Sequence, residues 1–138
     1  MPQLNTIKNS QKPQTITSLK RALKKAGIKP GMNIIVHSSL NSIGWVCGGA
    51  YSVIKAIMDV ITWKGTIIMP TQSPSLSDPS SWKDSPVPRS WWNEIRINMP
   101  PFDCFTTQTE YMGIVPEVFR SFPEVERSYH PIHSFGIW

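Results

Sequence analysis

The sequence predicts an α/β fold, because segments with the apolar content of β-strands alternate with segments that have helical spacing. Residues 32–36 form an apolar, β-branched run that is typical of a strand buried on both faces, as parallel strands are. Residues 51–61 then repeat apolar side chains at helical intervals, and residues 66–70 form a second strand-like run. This order of strand, helix and strand predicts a βαβ unit.

The flanking segments extend this pattern. Thr15 is a suitable N-cap for a helix with apolar residues along one face, and Gly27 marks its end. Residues 74–101 are rich in serine, proline and tryptophan, so we expect them to pack over the sheet or to form a pocket wall. Residues 114–122 have helical spacing, and the last residues of the chain resemble the start of a strand.

The chain is long enough for one domain with a sizeable core, since it has 138 residues. We expect a flexible polar tail over residues 1–14 and a single domain, or part of one, over residues 15–138. Hydrophobic residues make up 40% of the chain and charged residues 17%, which excludes the composition of a disordered protein.

The sequence shows no sign of secretion or membrane insertion. No apolar run approaches the ~20 residues that a membrane helix requires, and residues 1–14 lack the apolar stretch of a secretory signal. Cys47 and Cys104 are too far apart for a metal or redox motif. We therefore expect a soluble, cytoplasmic protein without a metal site.

The net charge of +5 raises the question of a nucleic-acid partner. The densest basic cluster lies on the first predicted helix and consists of Lys20, Arg21, Lys24 and Lys25. No module of interleaved basic and aromatic residues accompanies this cluster, so we interpret it as a solvated helix face. Nucleic-acid binding is the alternative.

Polar loops follow both strands of the predicted βαβ unit. Residues 37–44 follow the first strand and residues 71–73 follow the second, and the carboxyl ends of parallel strands meet at one edge of a sheet. Backbone N–H groups in such a loop, and at the helix that follows it, favour an anionic ligand. A threonine cluster at residues 106–109 either caps the next helix or binds a ligand. The glycine-rich loop over residues 44–49 lacks the lysine of a P-loop, which argues against nucleotide hydrolysis.

Four motifs, in this order and spacing, resemble those of the aminoglycoside 3-N-acetyltransferase family: Val36-His37-Ser38-Ser39-Leu40, Ser42-Ile43-Gly44, Thr109-Glu110-Tyr111-Met112-Gly113 and His130-Pro131-Ile132-His133-Ser134-Phe135. The resemblance runs from about residue 15 to residue 138. It implies a three-layer α/β/α fold peculiar to the family. It also implies an enzyme of antibiotic resistance that transfers acetyl from acetyl-CoA to the 3-amino group of an aminoglycoside. Members are about twice as long, so the resemblance implies an N-terminal fragment whose fold lacks the C-terminal half.

The resemblance also implies roles for individual residues. His130 would be the general base of a direct transfer. A histidine suits this role, because it titrates near neutrality and the attacking amine must lose a proton. Apart from the resemblance, a carboxylate that orients the base is expected in principle, and of the two nearby acids, Glu124 and Glu126, we choose Glu126 as the candidate. The implied partners are acetyl-CoA and the amine substrate, with no nucleic acid, membrane or metal. The coenzyme would lie along His37, Ser38, Ser39, Ser42, Gly44, Thr109, Met112 and Gly113.

Several alternatives accompany these assignments. His37 either contacts the coenzyme or bonds the adjacent loop, and Cys47 offers a route through an acetyl-cysteine intermediate. The alternative function is a truncated, inactive remnant that at most binds coenzyme A. The net basic charge does not suit a polycationic aminoglycoside, so we expect the acidic side of its pocket to come from the half of the family fold that is absent.

Overall fold

The computed structural model describes residues 3–84 and 86–138, in which short strands alternate with helices. Within the described part of the chain, none of the helices is both long and apolar enough to span a membrane. Turns of 3-10 helix occupy Pro74–Leu76, Pro79–Ser81 and Arg89–Trp91. The alternation of strands and helices along the chain confirms the predicted α/β class. The regular elements are α1 (Gln3–Lys8), α2 (Ile16–Lys25), β1 (Asn33–Ile35), α3 (Leu40–Ile43), α4 (Gly49–Ile61), β2 (Thr66–Pro70), α5 (Trp92–Asn98), α6 (Ile114–Phe119), β3 (Glu126–Arg127) and β4 (Phe135–Ile137).

The strands form a mixed sheet in the order β1-β2-β4-β3. β1 and β2 are parallel, as the βαβ pattern predicted, but β4 runs antiparallel to both β2 and β3. The sheet is therefore mixed and extends beyond the parallel pair of the predicted βαβ unit. The reason is the connection between β3 and β4, which spans only residues 128–134. A parallel pair requires a crossover of a dozen or more residues, whereas a short loop joins antiparallel strands.

Helix α2 begins and ends where the sequence predicted. Thr15 Oγ1 accepts a hydrogen bond from the N–H of Ser18 at 3.2 Å, and the Thr15 N–H donates to Ser18 Oγ at 2.9 Å. This reciprocal pair is a capping box that satisfies two N–H groups at the helix start. Gly27 has a φ of +94°, a left-handed conformation that ends the helix without strain.

The hydrophobic core lies between the helices and one face of the sheet. Helix α4 is central to it, and its side chains Ile54 and Ile61 are fully buried. Ile67 of β2 faces α4 from the sheet, and Phe119 of α6 closes the core beside it. Leu19 and Leu23 pack against the same cluster from α2. These contacts place α2, α4 and α6 in one layer over the sheet.

The other face of the sheet is open in the described residues. Ile35, Ile68 and Ile137 are paired in register across β1, β2 and β4, so they point to the same face. Ile35 is 63% exposed and Ile137 is 42% exposed. The prediction that the first strand is buried on both faces was therefore wrong, because helices cover only one face. The described residues supply two layers of the expected three-layer arrangement.

The segment before Thr15, which the sequence predicted to be a flexible tail, contains a short helix and makes hydrogen bonds to the loop before α4. Residues 1 and 2 lie outside the described residues, but α1 follows them directly. Ser10 Oγ accepts a hydrogen bond from the Trp45 N–H at 2.8 Å, and the Gln14 N–H donates to the Trp45 carbonyl at 2.8 Å. Gln14 and Val46 also form a parallel bridge. The segment is therefore attached to the loop that precedes α4.

The tryptophan-rich segment over residues 74–101 is held together by its own contacts. Arg96 forms a bidentate ion pair with Asp78, from Nε at 2.8 Å and Nη2 at 2.9 Å. Trp82 and Tyr111 line a cavity of about 440 Å³ beside this segment. This arrangement supports the interpretation of the segment as a pocket wall.

Candidate functional site

One edge of the sheet gathers the loops that carry the sequence motifs. Because β1 and β2 are parallel, residues 36–39 and 71–73 leave the sheet at the same edge. Since β4 is antiparallel to β2, with Phe135 opposite Pro70, residues 130–134 lie at that edge too. The structure thus brings the His-Pro motif next to the polar loops of the βαβ unit.

The loop after β1 presents hydroxyl groups and an exposed imidazole. Ser42 Oγ donates to Ser39 Oγ at 3.0 Å. Ser38 Oγ is buried and, among the residues that the structure describes, has no hydrogen-bond partner. His37 is exposed, and its ring makes no hydrogen bond within the described ranges. A cavity of about 460 Å³ opens beside this loop and is walled by Leu19, Leu23, Val36, Val53 and Ile57.

Gly44 is approached by the N-terminal segment. Its φ is +94°, and a Cβ at this position would lie 3.0 Å from Ser10 Oγ. The same edge of the loop borders a polar cavity of about 690 Å³, to which Lys12 contributes. The sequence did not indicate this neighbour, because residues 1–14 carry no motif.

The threonine-rich loop reaches the same edge through hydrogen bonds to the segment after β2. The Glu110 N–H donates to the Gln72 carbonyl at 2.8 Å, and Ser73 Oγ donates to the Gln108 carbonyl at 2.7 Å. Helix α6 begins only after Gly113, whose φ is +79°. The threonines therefore do not cap this helix, which was one of the two roles that the sequence left open.

A carboxylate on α6 holds this loop in place. The Thr109 N–H donates to Glu117 Oε2 at 2.8 Å, and Arg120 Nε donates to the same oxygen at 2.9 Å. Burial alone would raise the pKa of Glu117, but the hydrogen bonds from Arg120 and Thr109 lower it to about 2. Met112, half-buried, lies between Thr109 and the start of the helix. The predicted coenzyme wall at this loop is thus anchored by an ionised side chain.

His130 lies at the exposed surface of the edge. Its Nδ1 accepts hydrogen bonds from the N–H groups of Ile132, at 3.2 Å, and His133, at 2.9 Å. Because Nδ1 is an acceptor, the neutral ring carries its proton on Nε2. Glu126 lies on β3 opposite Ile137, and no hydrogen bond joins it to His130 among the described residues. The structure does not bring the predicted base and its predicted carboxylate together.

The sequence did not reveal the most heavily bonded residue of the site, Arg127, which is only 7% exposed. Its guanidinium donates to the Thr71 carbonyl at 2.6 Å and to the hydroxyls of Ser73 and Ser134, each at 3.0 Å. It also donates to the Thr107 carbonyl. Burial lowers the pKa of this guanidinium from its ordinary value. Its acceptors come from distant segments, so local spacing carried no signal for it.

The structure bears on the alternative assignments as well. Lys20 of the basic cluster donates to Asp59 at 3.1 Å, so part of its charge is neutralised within the protein. Cys47 is exposed and, like Cys104, is a free thiol. Within residues 3–84 and 86–138, no group of three or more histidine, cysteine or acidic side chains is arranged to hold a metal ion.

The chain is similar in sequence to enzymes that acetylate aminoglycosides. Residues 35–138 match the family model described as aminoglycoside 3-N-acetyltransferase. The chain is 50% identical, over 96% of its own length and 49% of the other's, to the SPbeta prophage-derived aminoglycoside N(3')-acetyltransferase-like protein YokD of Bacillus subtilis. It is 30% identical to aminoglycoside N(3)-acetyltransferase IX of Micromonospora chalcea, over 99% of this chain and 48% of that one. The chain spans about half the length of these relatives.

Solved structures show the same similarity. The crystal structure of YokD from Bacillus subtilis matches with a TM-score of 0.94 and 49% identity, over 98% of this chain and 50% of that chain. The binary complex of AAC-IIIb with CoASH matches with a TM-score of 0.74 and 27% identity, over 91% of this chain and 46% of that chain. Both similarities cover nearly all of this chain and confirm its α/β fold.

Proposed function

Because the chain belongs to the aminoglycoside 3-N-acetyltransferase family, we propose that the protein transfers the acetyl group of acetyl-CoA to the 3-amino group of an aminoglycoside antibiotic. The observation that carries the proposal is the match over residues 35–138, which include the loops gathered at one edge of the sheet. Acetylation removes a positive charge from a polycationic antibiotic, so the reaction would serve antibiotic resistance.

In the proposed direct transfer, the amine nitrogen attacks the carbonyl carbon of the thioester. The carbon–sulfur bond breaks, and coenzyme A leaves as a thiolate that takes up a proton. At neutral pH the amine is mostly protonated, so a group on the protein must accept its proton for the attack to proceed. General-base catalysis of this kind contributes roughly 10²–10⁴-fold to the rate.

We assign the general base to His130, through Nε2. Nδ1 accepts two backbone hydrogen bonds, so the neutral ring carries its proton on Nε2. For Nε2 to accept a proton, the ring must move that proton to Nδ1 and release the N–H groups of Ile132 and His133. The assignment therefore requires the His-Pro loop to rearrange when the substrate binds.

We propose that acetyl-CoA binds along the two loops that meet at this edge. The similarity to AAC-IIIb, whose structure contains CoASH, supports the coenzyme. The buried Ser38 hydroxyl, which lacks a partner within the described residues, is suited to an amide of the pantetheine arm. The residues assigned to the coenzyme are His37, Ser38, Ser39, Ser42, Gly44, Thr109, Met112 and Gly113.

The two cysteines bear on the cell compartment. Cys47 and Cys104 are free thiols, which fit a reducing compartment, and we propose the cytoplasm.

A second candidate is a remnant that at most binds coenzyme A. It is favoured by the net charge of +5, which fits a cationic aminoglycoside poorly. In this case the loops at the edge would retain the coenzyme without completing the substrate pocket.

The test measures release of the coenzyme A thiol from acetyl-CoA in the presence of several aminoglycosides, together with calorimetric binding of acetyl-CoA. His130→Ala and His130→Gln are compared, because glutamine retains a donor but cannot act as a base. If the rate of thiol release falls about 100-fold or more in both variants, the result supports His130 as the general base. Full activity in His130→Gln would contradict it. Binding without thiol release supports the remnant, and the absence of both contradicts both candidates.

A further inference from the structure

The buried guanidinium of Arg127 connects the two loops to which the proposed function assigns the base and the coenzyme wall. We infer that Arg127 is a positioning residue that sets where these two loops stand relative to each other. Its Nε donates to Ser134 Oγ at 3.0 Å, one residue after the His-Pro-Ile-His segment. Its Nη1 donates to the Thr107 carbonyl, two residues before Thr109. The catalytic meaning of this role rests on the proposed function.

Ser73 completes the connection between the loops. Its hydroxyl accepts a hydrogen bond from Arg127 Nη2 at 3.0 Å and donates to the Gln108 carbonyl at 2.7 Å. Its backbone N–H donates to the Ile132 carbonyl at 2.9 Å. Ser73 is 1% exposed, so these bonds form away from water. One buried serine, held by Arg127, therefore contacts both the threonine loop and the His-Pro loop.

The acceptors of Arg127 are neutral oxygens, which is unusual for a buried cation. Besides the bonds above, its Nη1 lies 3.4 Å from the Cys104 carbonyl and its Nη2 lies 2.6 Å from the Thr71 carbonyl. The guanidinium carbon lies 5.0 Å from the centre of the Phe102 ring. Burying a charge without a carboxylate costs free energy that an apolar side chain of similar size would not. What the guanidinium supplies is a rigid planar fork of five donors, which fixes the relative positions of its acceptors.

The inference is tested on the full chain with Arg127→Lys, Arg127→Met and Ser73→Ala. Lysine keeps the charge but not the fork, methionine removes both, and alanine removes only the hydroxyl link. Arg96→Met and Ser121→Ala are matched controls, because both lie outside this cluster. The primary readout is the ¹⁵N spectrum of the histidine rings, with His37 as the internal reference. Circular dichroism and urea unfolding establish that each variant is folded.

We expect the His130 ring signals to move in Arg127→Lys and in Ser73→Ala, because the backbone donors of Nδ1 shift with the loop. The dissociation constant for acetyl-CoA should rise about tenfold, because the loss of one hydrogen bond between the loops weakens binding by about that factor. The controls should leave both quantities unchanged. Folded variants with wild-type His130 signals would overturn the inference. If Arg127→Met does not fold, Ser73→Ala decides. If the wild-type chain binds no acetyl-CoA, the proposed function fails, while the His130 signals still decide the positioning role.

Discussion

The backbone N–H of Thr109 donates to Glu117 Oε2 at 2.8 Å, across eight residues of the chain. Arg120 holds the same carboxylate from the other side and donates through Nη1 to the Phe105 carbonyl at 2.7 Å. The threonine loop is therefore attached to α6 at two points. Both depend on the negative charge of Glu117, directly or through Arg120.

Glu117→Gln should make the protein less sensitive to acid. The folded pKa of Glu117, about 2, lies below its ordinary value of 4.5. The stabilisation that this shift provides is therefore fully present above pH 4.5 and is lost as the pH falls towards 2. Between pH 4.5 and 2, the unfolding free energy of the wild type should fall by about 2 kcal/mol more than that of the glutamine variant. Urea unfolding at a series of pH values measures the difference, and parallel curves for the two proteins would contradict it.

Gly65→Ala should destabilise the protein through a steric clash before β2. A Cβ at this position would lie 2.3 Å from the Met32 carbonyl oxygen and 2.6 Å from a methyl carbon of Ile61. Because one of these atoms belongs to the backbone, the clash cannot be relieved by a side-chain rotation, and we expect a cost of about 3 kcal/mol. Gly136→Ala is the control, since its Cβ would meet the Phe119 ring at 3.2 Å. It should cost about 1 kcal/mol in urea unfolding. Equal costs would show that backbone proximity is not the cause.

Ile54→Ala and Ile35→Ala should lower the unfolding free energy by very different amounts, although the chemical change is the same. Ile54 is fully buried on α4, so the substitution leaves a cavity and should cost about 2–5 kcal/mol. Ile35 is 63% exposed on the open face and should cost less than about 1 kcal/mol. Denaturant midpoints of the two variants measure the contrast. A large loss in Ile35→Ala would mean that the face is covered in solution.

Ile137→Lys should reduce the hydrophobic character of the open face without unfolding the protein. Ile137 lies in register with Ile68 and Ile35, so a charge there interrupts a continuous apolar row. We expect binding of the dye ANS to fall by about half and self-association to decrease, because large exposed apolar patches bind such probes and each other. Ile97→Lys is the control, since Ile97 is exposed on α5 outside the sheet. An equal effect of both substitutions on ANS fluorescence would argue against the patch.

Local patterns predicted several elements correctly. The capping box at Thr15 and the stop at Gly27 follow from bonds and backbone angles within a few residues, which the sequence contains directly. The polar loops that follow the two strands also lie at one edge, as the sequence predicted, because parallel pairing places those strand ends together. The prediction that β1 is buried on both faces was wrong, since burial depends on which layers cover the sheet. The sequence pattern of an apolar strand does not contain that information.

By itself, the sequence determined the α/β class, the βαβ unit and the four motifs of the family. Each of these depends on periodicity or spacing along the chain. Only the tertiary structure decided that β4 enters the sheet antiparallel and carries the His-Pro loop to the edge formed by β1 and β2. It alone showed that Arg127 joins this loop to Thr107 through a buried fork of hydrogen bonds. The physical reason is that these bonds link groups 7 to 56 residues apart, and their energies depend on burial and direction rather than on neighbours in the sequence.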